Sequence, residues 1–161
     1  MNVKAIVTGV LLLLAVGGVA YVLIGGDGSD ESAAPAQVAE GALPDDGVVV
    51  YYFHGNKRCM TCNKMEALAA EVIYDQFGER LRDGSVVFKI VNIETDQTRH
   101  FVEDFEMTNR CVVMQERRDG QDADWRRLDE VWAKISDDEE YTAYIAENLD
   151  ACLDHLGLDA G

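Results

Sequence analysis

Residues 48–62 have the sequence VVVYYFHGNKRCMTC, which combines the pattern of a buried strand with a pair of cysteines. Its first six residues are β-branched or aromatic, which is typical of a strand buried on both faces of a sheet. The stretch ends in the motif Cys59-x-x-Cys62, beyond which apolar residues recur at helical spacing. Two thiols at this spacing, placed where a strand gives way to a helix, close a small disulfide ring with little backbone movement. The pattern therefore indicates a redox dithiol.

The charges near the two cysteines support the same interpretation. Helix N-terminal amides and nearby cations stabilise a thiolate, and Lys57, Arg58 and Lys64 flank the motif in an otherwise acidic chain. We therefore expect the pKa of the Cys59 thiol to lie below its usual value of about 8.5. Cys59 is the predicted nucleophile. Cys62, one turn inside the helix and less exposed, is the predicted resolving thiol.

The segments that follow predict a sheet of mixed direction. Residues 86–93 predict a second buried strand, so that strand, helix and strand make a βαβ unit with parallel strands. After a short helix around Phe101, residues 111–116 predict a third strand. The dipeptide Asp119-Gly120 is a hairpin signal, which predicts an antiparallel fourth strand around Trp125.

The last element is a helix with clear signals at both ends. Ser136 and Glu139 have the spacing of a capping box, and Gly157 is placed to end the helix. The predicted order is β-α-β-α-β-β-α. This order predicts an α/β fold with a four-stranded mixed sheet and helices on both faces, covering residues 47–157.

The amino-terminal part has a different composition. Residues 5–26 contain no charged side chain, and as a helix they would reach about 33 Å, enough for a bilayer core of about 30 Å. We expect residues 1–26 to be one transmembrane anchor. The alternative is a cleaved signal peptide, after which the domain would be secreted. Lys4 precedes the span and favours a domain outside the cytoplasm. Residues 27–46 are small, polar and acidic, and predict a flexible linker.

The net charge narrows the range of partners. The chain has a formal net charge of −16, and every charged side chain except Lys4 follows the apolar segment. Nucleic acids and anionic membrane surfaces would repel such a domain. The expected membrane contact is therefore through the amino-terminal helix alone.

The order of elements and the position of the motif resemble the thioredoxin fold. More narrowly, residues 51–66, with the downstream sequences Arg99-His100-Phe101-Val102 and Trp125-Arg126-Arg127-Leu128, resemble the family labelled nitrophenyl compound nitroreductase subunit ArsF. The resemblance covers roughly residues 48–156. It implies a membrane-tethered, thioredoxin-like domain, which together with the Cys59–Cys62 dithiol predicts a thiol-disulfide oxidoreductase without a cofactor. Its partner would be a protein thiol or disulfide, or a membrane redox protein.

Three departures separate this chain from ordinary thioredoxins. Arg58 stands where they carry tryptophan, and Met60-Thr61 replaces Gly-Pro between the cysteines. Near Tyr52 no acidic residue occupies the first strand, where thioredoxins bury a carboxylate. The position of their cis-proline falls on Cys111, so that the resemblance assigns Arg110 and Cys111 to the substrate-facing loop.

The sequence leaves several alternatives open. Cys59 and Cys62 also fit an inert disulfide, or a metal site completed by Cys111 and by His54 or an external ligand. Such a site suits zinc, copper(I) or an iron–sulfur cluster, and it predicts a metal-binding or electron-transfer accessory subunit. Cys111 also fits a small buried residue, and His54 either modulates the thiols or makes a local hydrogen bond. Cys152 lies on the apolar face of the last helix, as a core residue does.

Overall fold

The computed structural model describes residues 42–158. The predicted membrane anchor at residues 1–26 and most of the predicted linker lie outside these residues. Within residues 42–158, none of the helices combines the length and the apolar character needed to cross a bilayer.

Four strands and five helices make up this part of the chain. In chain order they are β1 (Gly47–His54), α1 (Met60–Gln76), α2 (Gly78–Asp83), β2 (Val86–Asn92), α3 (Phe101–Asp104), β3 (Val112–Arg118), β4 (Gln121–Leu128), α4 (Val131–Lys134) and α5 (Asp138–Leu156). Compared with the predicted order, α2 and α4 are additional short helices. Gly84, with a φ of 82°, ends α2 in the left-handed conformation that glycine adopts at low cost.

The strands form one mixed sheet in the order β2-β1-β3-β4. β1 is parallel to β2 and antiparallel to β3, and β3 is antiparallel to β4. The predicted α/β class and four-stranded mixed sheet are thus confirmed. β1 is central, which explains why its first seven residues are all buried.

The two faces of β1 contact different helices because successive side chains of a strand point to opposite faces. On one face, the Tyr52 hydroxyl donates a hydrogen bond to the Cys62 carbonyl oxygen of α1. On the other face, the rings of Tyr51 and Phe53 pack against Phe101, at centroid distances of 5.3 and 5.4 Å. α1 and α3 therefore cover opposite faces of the sheet.

The predicted second strand is buried only in its first half. Val86, Val87 and Phe88 are buried, whereas the last four residues of β2 are half-buried. β2 forms an edge of the sheet, and its apolar run does not distinguish an edge strand from a central one.

The β3–β4 hairpin turns at the predicted dipeptide. Asp119 and Gly120 both have positive φ, 51° and 73°, as the tightest hairpin turns require. The chain before β1 is fixed to this hairpin, since Arg117 donates to the Pro44 carbonyl at 2.9 Å and Gly120 N–H donates to the Asp45 carbonyl at 2.9 Å. Residues at the end of the predicted linker are therefore part of the folded structure.

The last helix begins one residue later than its capping signal predicts. Asp137, not Ser136, is the N-cap residue, and its carboxylate accepts a hydrogen bond from the Glu140 backbone N–H at 3.1 Å. Aspartate and serine both cap helices well, and each is followed by a glutamate three residues later. The capping-box pattern therefore fits a helix start at either residue. The predicted end is confirmed, because Gly157 has a φ of 73° at the C-cap.

Candidate functional site

Cys59 and Cys62 lie where the loop after β1 enters α1. Cys59 is the N-cap residue of α1 and Cys62 belongs to its first turn. The two residues form a disulfide with a Cα–Cα distance of 5.0 Å, within the range that disulfides occupy. The strand-to-helix position predicted for the pair is confirmed.

The two sulfur-bearing residues differ in exposure. Cys59 is exposed, whereas Cys62 is only 1% exposed. Met60, the residue after Cys59, is 89% exposed. A second molecule can therefore approach Cys59 while Cys62 stays covered, as the sequence predicts for an attacking thiol and a resolving thiol.

Backbone N–H groups of the first turn of α1 point at Cys59. The Cys62 N–H donates to Cys59 Sγ at 3.1 Å, and the Asn63 N–H donates to the Cys59 carbonyl at 3.0 Å. No acidic residue lies in this first turn. The positive end of the helix dipole and a direct hydrogen bond both favour negative charge on the Cys59 sulfur once the disulfide is reduced.

The flanking cations contribute less than the sequence suggests. Arg58 forms an ion pair with Glu66, and Lys64 contacts the Asp138 carboxylate and donates to the Ile135 carbonyl at 3.0 Å. Two of the three cations are thus held by acceptors other than the cysteines, and Lys57 is exposed. The first turn of α1 supplies the clearer electrostatic support for Cys59.

His54 makes a local contact at the end of β1. Its Nδ1 lies 3.0 Å from the Gly55 carbonyl oxygen, to which it donates, and the residue is half-buried. Nδ1 thus holds a proton and leaves Nε2 as the nitrogen that can accept one. The expected modulating role of His54 stays a prediction.

Side chains at the end of β2 and just beyond it hold the loop that carries the cysteines. The Asn56 N–H donates to Glu94 Oε2 at 3.1 Å, and Asn92 Nδ2 donates to Asn56 Oδ1 at 2.8 Å. Arg110 lies 3.5 Å from the Glu94 carboxylate, so that the segment before β3 joins the same network. Sequence reasoning missed Asn92 and Glu94, because their partners lie more than 30 residues away.

A cavity of about 390 Å³ lies beside this network. Its lining includes Glu94, Arg110 and Trp132, and the Trp132 indole N–H donates to the Arg110 carbonyl at 2.7 Å. Trp132 is 40% exposed, although tryptophan is usually well covered. The structure thus places Arg110 on an open cavity joined to the cysteine loop, and its expected contact with substrate stays a prediction.

Cys111 is a buried residue at the start of β3. It is 3% exposed, and its carbonyl accepts a hydrogen bond from the Phe53 N–H at 3.0 Å. Burial raises the pKa of the Cys111 thiol to about 12, with smaller opposing effects from Arg127 and Asp129. The thiol therefore keeps its proton at neutral pH.

The alternative of a metal centre gains no support from the arrangement of donors. Among residues 42–158, no three His, Cys, Asp or Glu side chains come together in a way suited to a metal ion. Cys152 is fully buried, and burial raises its pKa to about 12 as well. Its predicted place in the core is confirmed.

Tyr52 and Glu66 are two residues at this site that the sequence analysis did not select. The Tyr52 hydroxyl lies 2.6 Å from the Cys62 carbonyl oxygen, and burial raises its pKa to about 12, with the Glu66 carboxylate as the next cause. Two signals were available. Alternation along β1 puts every second side chain on the α1 face, and Glu66 follows Cys62 by four residues on one face of the helix.

Comparison with known proteins adds no family to this description. No protein-family model matches the chain, and no curated protein is significantly similar to it.

Proposed function

We propose that this protein is a thioredoxin-like thiol-disulfide oxidoreductase with Cys59 as its nucleophile and Cys62 as its resolving thiol. One observation carries the proposal. The pair joins an exposed sulfur at a helix N-cap to a buried sulfur one turn later, with the Cys62 N–H aimed at Cys59 Sγ. An inert disulfide has no need of this difference in exposure or of a donor directed at one sulfur.

The exchange proceeds in two steps. The Cys59 thiolate attacks one sulfur of a substrate disulfide, forming a mixed disulfide and releasing the first substrate sulfur as a thiolate. Cys62 then gives up its proton and attacks Cys59 Sγ, which releases the second substrate thiolate and forms the Cys59–Cys62 disulfide. Two electrons pass from the dithiol to the substrate, and the two released thiolates take up protons. The reverse sequence oxidises a substrate dithiol.

The arrangement of the fold supports the thioredoxin-like part of the proposal. The strands and the three predicted helices follow the order that the sequence predicts, and the motif comes shortly after the central strand β1. The proposed partner is a protein thiol or disulfide, or a membrane redox protein, because the exchange needs a second sulfur or redox couple.

We further propose that residues 1–26 anchor the domain to a membrane, outside the cytoplasm. Pro44 and Asp45 are fixed beside the first residues of β1, whereas Cys59 follows its last residue. β1 has eight residues, and at ~3.3 Å per residue it separates these ends by about 25 Å. The chain before β1 therefore joins the domain at the end of the sheet opposite the disulfide.

Trapping with glutathione disulfide tests the mechanism. The reduced full-length Cys62→Ser variant is expected to accumulate a stable mixed disulfide with glutathione on Cys59, because no second thiol is placed to resolve it. Wild-type protein is expected to pass through this species without accumulating it, and to end with the Cys59–Cys62 disulfide. Mass spectrometry of acid-quenched samples measures both species.

The matched control is Cys59→Ser, which retains only the buried sulfur of the pair. It is expected to form no mixed disulfide at Cys62 on the same timescale. If wild type and Cys62→Ser accumulate equal amounts of mixed disulfide, or if the adduct forms in Cys59→Ser instead, the proposed roles are wrong.

A further inference from the structure

Two buried tyrosines donate hydrogen bonds to successive turns of α1. The Tyr52 hydroxyl donates to the Cys62 carbonyl at 2.6 Å, and the Tyr141 hydroxyl donates to the Met65 carbonyl at 2.9 Å. Both side chains are almost completely buried, at 1% and 0% exposed. The two contacts are alike in chemistry, but only the first reaches a redox cysteine.

The Tyr52 hydrogen bond continues to the other cysteine. The peptide group between Cys62 and Asn63 accepts from Tyr52 through its carbonyl, and its N–H donates to the Cys59 carbonyl at 3.0 Å. Hydrogen bonds in such a chain polarise one another in the same direction. The hydroxyl is thus connected to the backbone of both residues of the disulfide.

The Tyr52 hydroxyl remains a donor throughout the physiological pH range. Burial, followed by the Glu66 carboxylate, raises the pKa of Tyr52 to about 12, so that the hydroxyl keeps its proton. The positive end of its O–H dipole points at the first turn of α1. Positive potential there stabilises a thiolate, which belongs to the reduced state only.

We propose that Tyr52 is a positioning residue that raises the reduction potential of the Cys59–Cys62 couple by donating its hydrogen bond to the Cys62 carbonyl. The inference rests on the proposed exchange function, and it names a residue that helps to set the reduction potential of the disulfide. A couple whose reduced form is stabilised is the stronger oxidant. Tyr52 lies in the part of β1 where thioredoxins bury a carboxylate and where this chain has no acidic residue. It supplies a hydrogen-bond donor there instead of a proton acceptor.

The test is the equilibrium of the full-length protein with glutathione at pH 7, in wild type, Tyr52→Phe and Tyr141→Phe. Removing the Tyr52 hydroxyl is expected to shift the equilibrium towards the protein disulfide by about threefold. This is less than the full contribution of one hydrogen bond, because the bond is also present in the disulfide state and only its additional effect on the thiolate counts. A tenfold shift corresponds to about 30 mV for this two-electron couple. Tyr141→Phe removes the same oxygen from an equally buried site, and it is expected to leave the equilibrium constant unchanged.

A structural role alone would lower the stability of both variants alike and leave both equilibrium constants at the wild-type value. That result, or equal shifts in the two variants, would overturn the inference while leaving the exchange function intact. A wild-type disulfide that does not equilibrate with glutathione would contradict the proposed function and the inference together.

A measurement on wild-type protein covers the case in which Tyr52→Phe does not fold. Coupling between two sites is reciprocal, so that the redox state must also affect the hydroxyl. In protein labelled with ¹³C at the tyrosine Cζ, the Tyr52 signal is expected to shift on reduction of the disulfide and the Tyr141 signal to stay. Equal behaviour of the two signals would contradict the inference.

Discussion

Replacing Cys59 with serine is expected to lower the rate of exchange with a small aromatic disulfide at pH 7 by at least about a thousandfold. A thiol with an unperturbed pKa near 8.5 is about 3% thiolate at pH 7, and the helix terminus increases that fraction at Cys59. Burial raises the pKa of both Cys111 and Cys152 to about 12, which leaves on the order of one thiolate in 10⁵ molecules. Cys62 is 1% exposed. The measurement is the second-order rate of thiol release from the reagent by the reduced, full-length protein.

Cys152→Ala is the matched control for this loss. It removes a buried thiol of α5 that has no place in the proposed exchange, and the rate is expected to stay at the wild-type value. A Cys59→Ser protein that retains a tenth or more of the wild-type rate would show that another cysteine is the nucleophile.

Gly47→Ala is expected to destabilise the domain by about 3 kcal/mol. Gly47 has a φ of 156°, and a Cβ atom there would overlap the Ser85 carbonyl oxygen and lie 2.8 Å from the carbonyl carbon. The same oxygen accepts the Val48 N–H at 2.8 Å where β1 and β2 begin to pair. The neighbour is backbone, so that the substitution must shift the start of the central strand. Urea unfolding followed by circular dichroism measures the loss.

Gly78→Ala provides the comparison for the same chemical change. A Cβ at Gly78, the first residue of α2, would meet only the end of the Arg82 side chain, at 3.6 Å. Alanine there is expected to stabilise the domain slightly, by about 0.4–1 kcal/mol. If the two variants lose the same stability, the cause is not the close approach of the Ser85 backbone.

The features that could be predicted from sequence depend on local signals. The β-branched and aromatic residues 48–53 indicate a buried strand, and Asp119-Gly120 indicates a tight hairpin because the turn needs positive φ. Gly157 indicates a helix end for a similar reason. Each of these structures needs one type of side chain or one backbone conformation. Few other structures therefore fit the same residues.

Some features could not be predicted because the contacting residues are distant in sequence. Others could not be predicted because two neighbouring residues suit the same position equally well. Lys64 is adjacent to the motif in sequence, yet its ammonium group lies against the start of α5. The Tyr52 contact requires the register of β1 against α1, which no single segment defines. Ser136 and Asp137 are both good caps, and only packing decides between them.

Alkylation of the four cysteines in the reduced, native, full-length protein shows which thiol is accessible and ionised. Brief treatment with iodoacetamide at pH 7, followed by peptide mass spectrometry, gives the modified fraction at each position. Cys59 is expected to react first, and Cys62, Cys111 and Cys152 are expected to remain largely unmodified until the protein is unfolded. Modification of Cys62 as fast as that of Cys59 would contradict the proposed roles of the two cysteines.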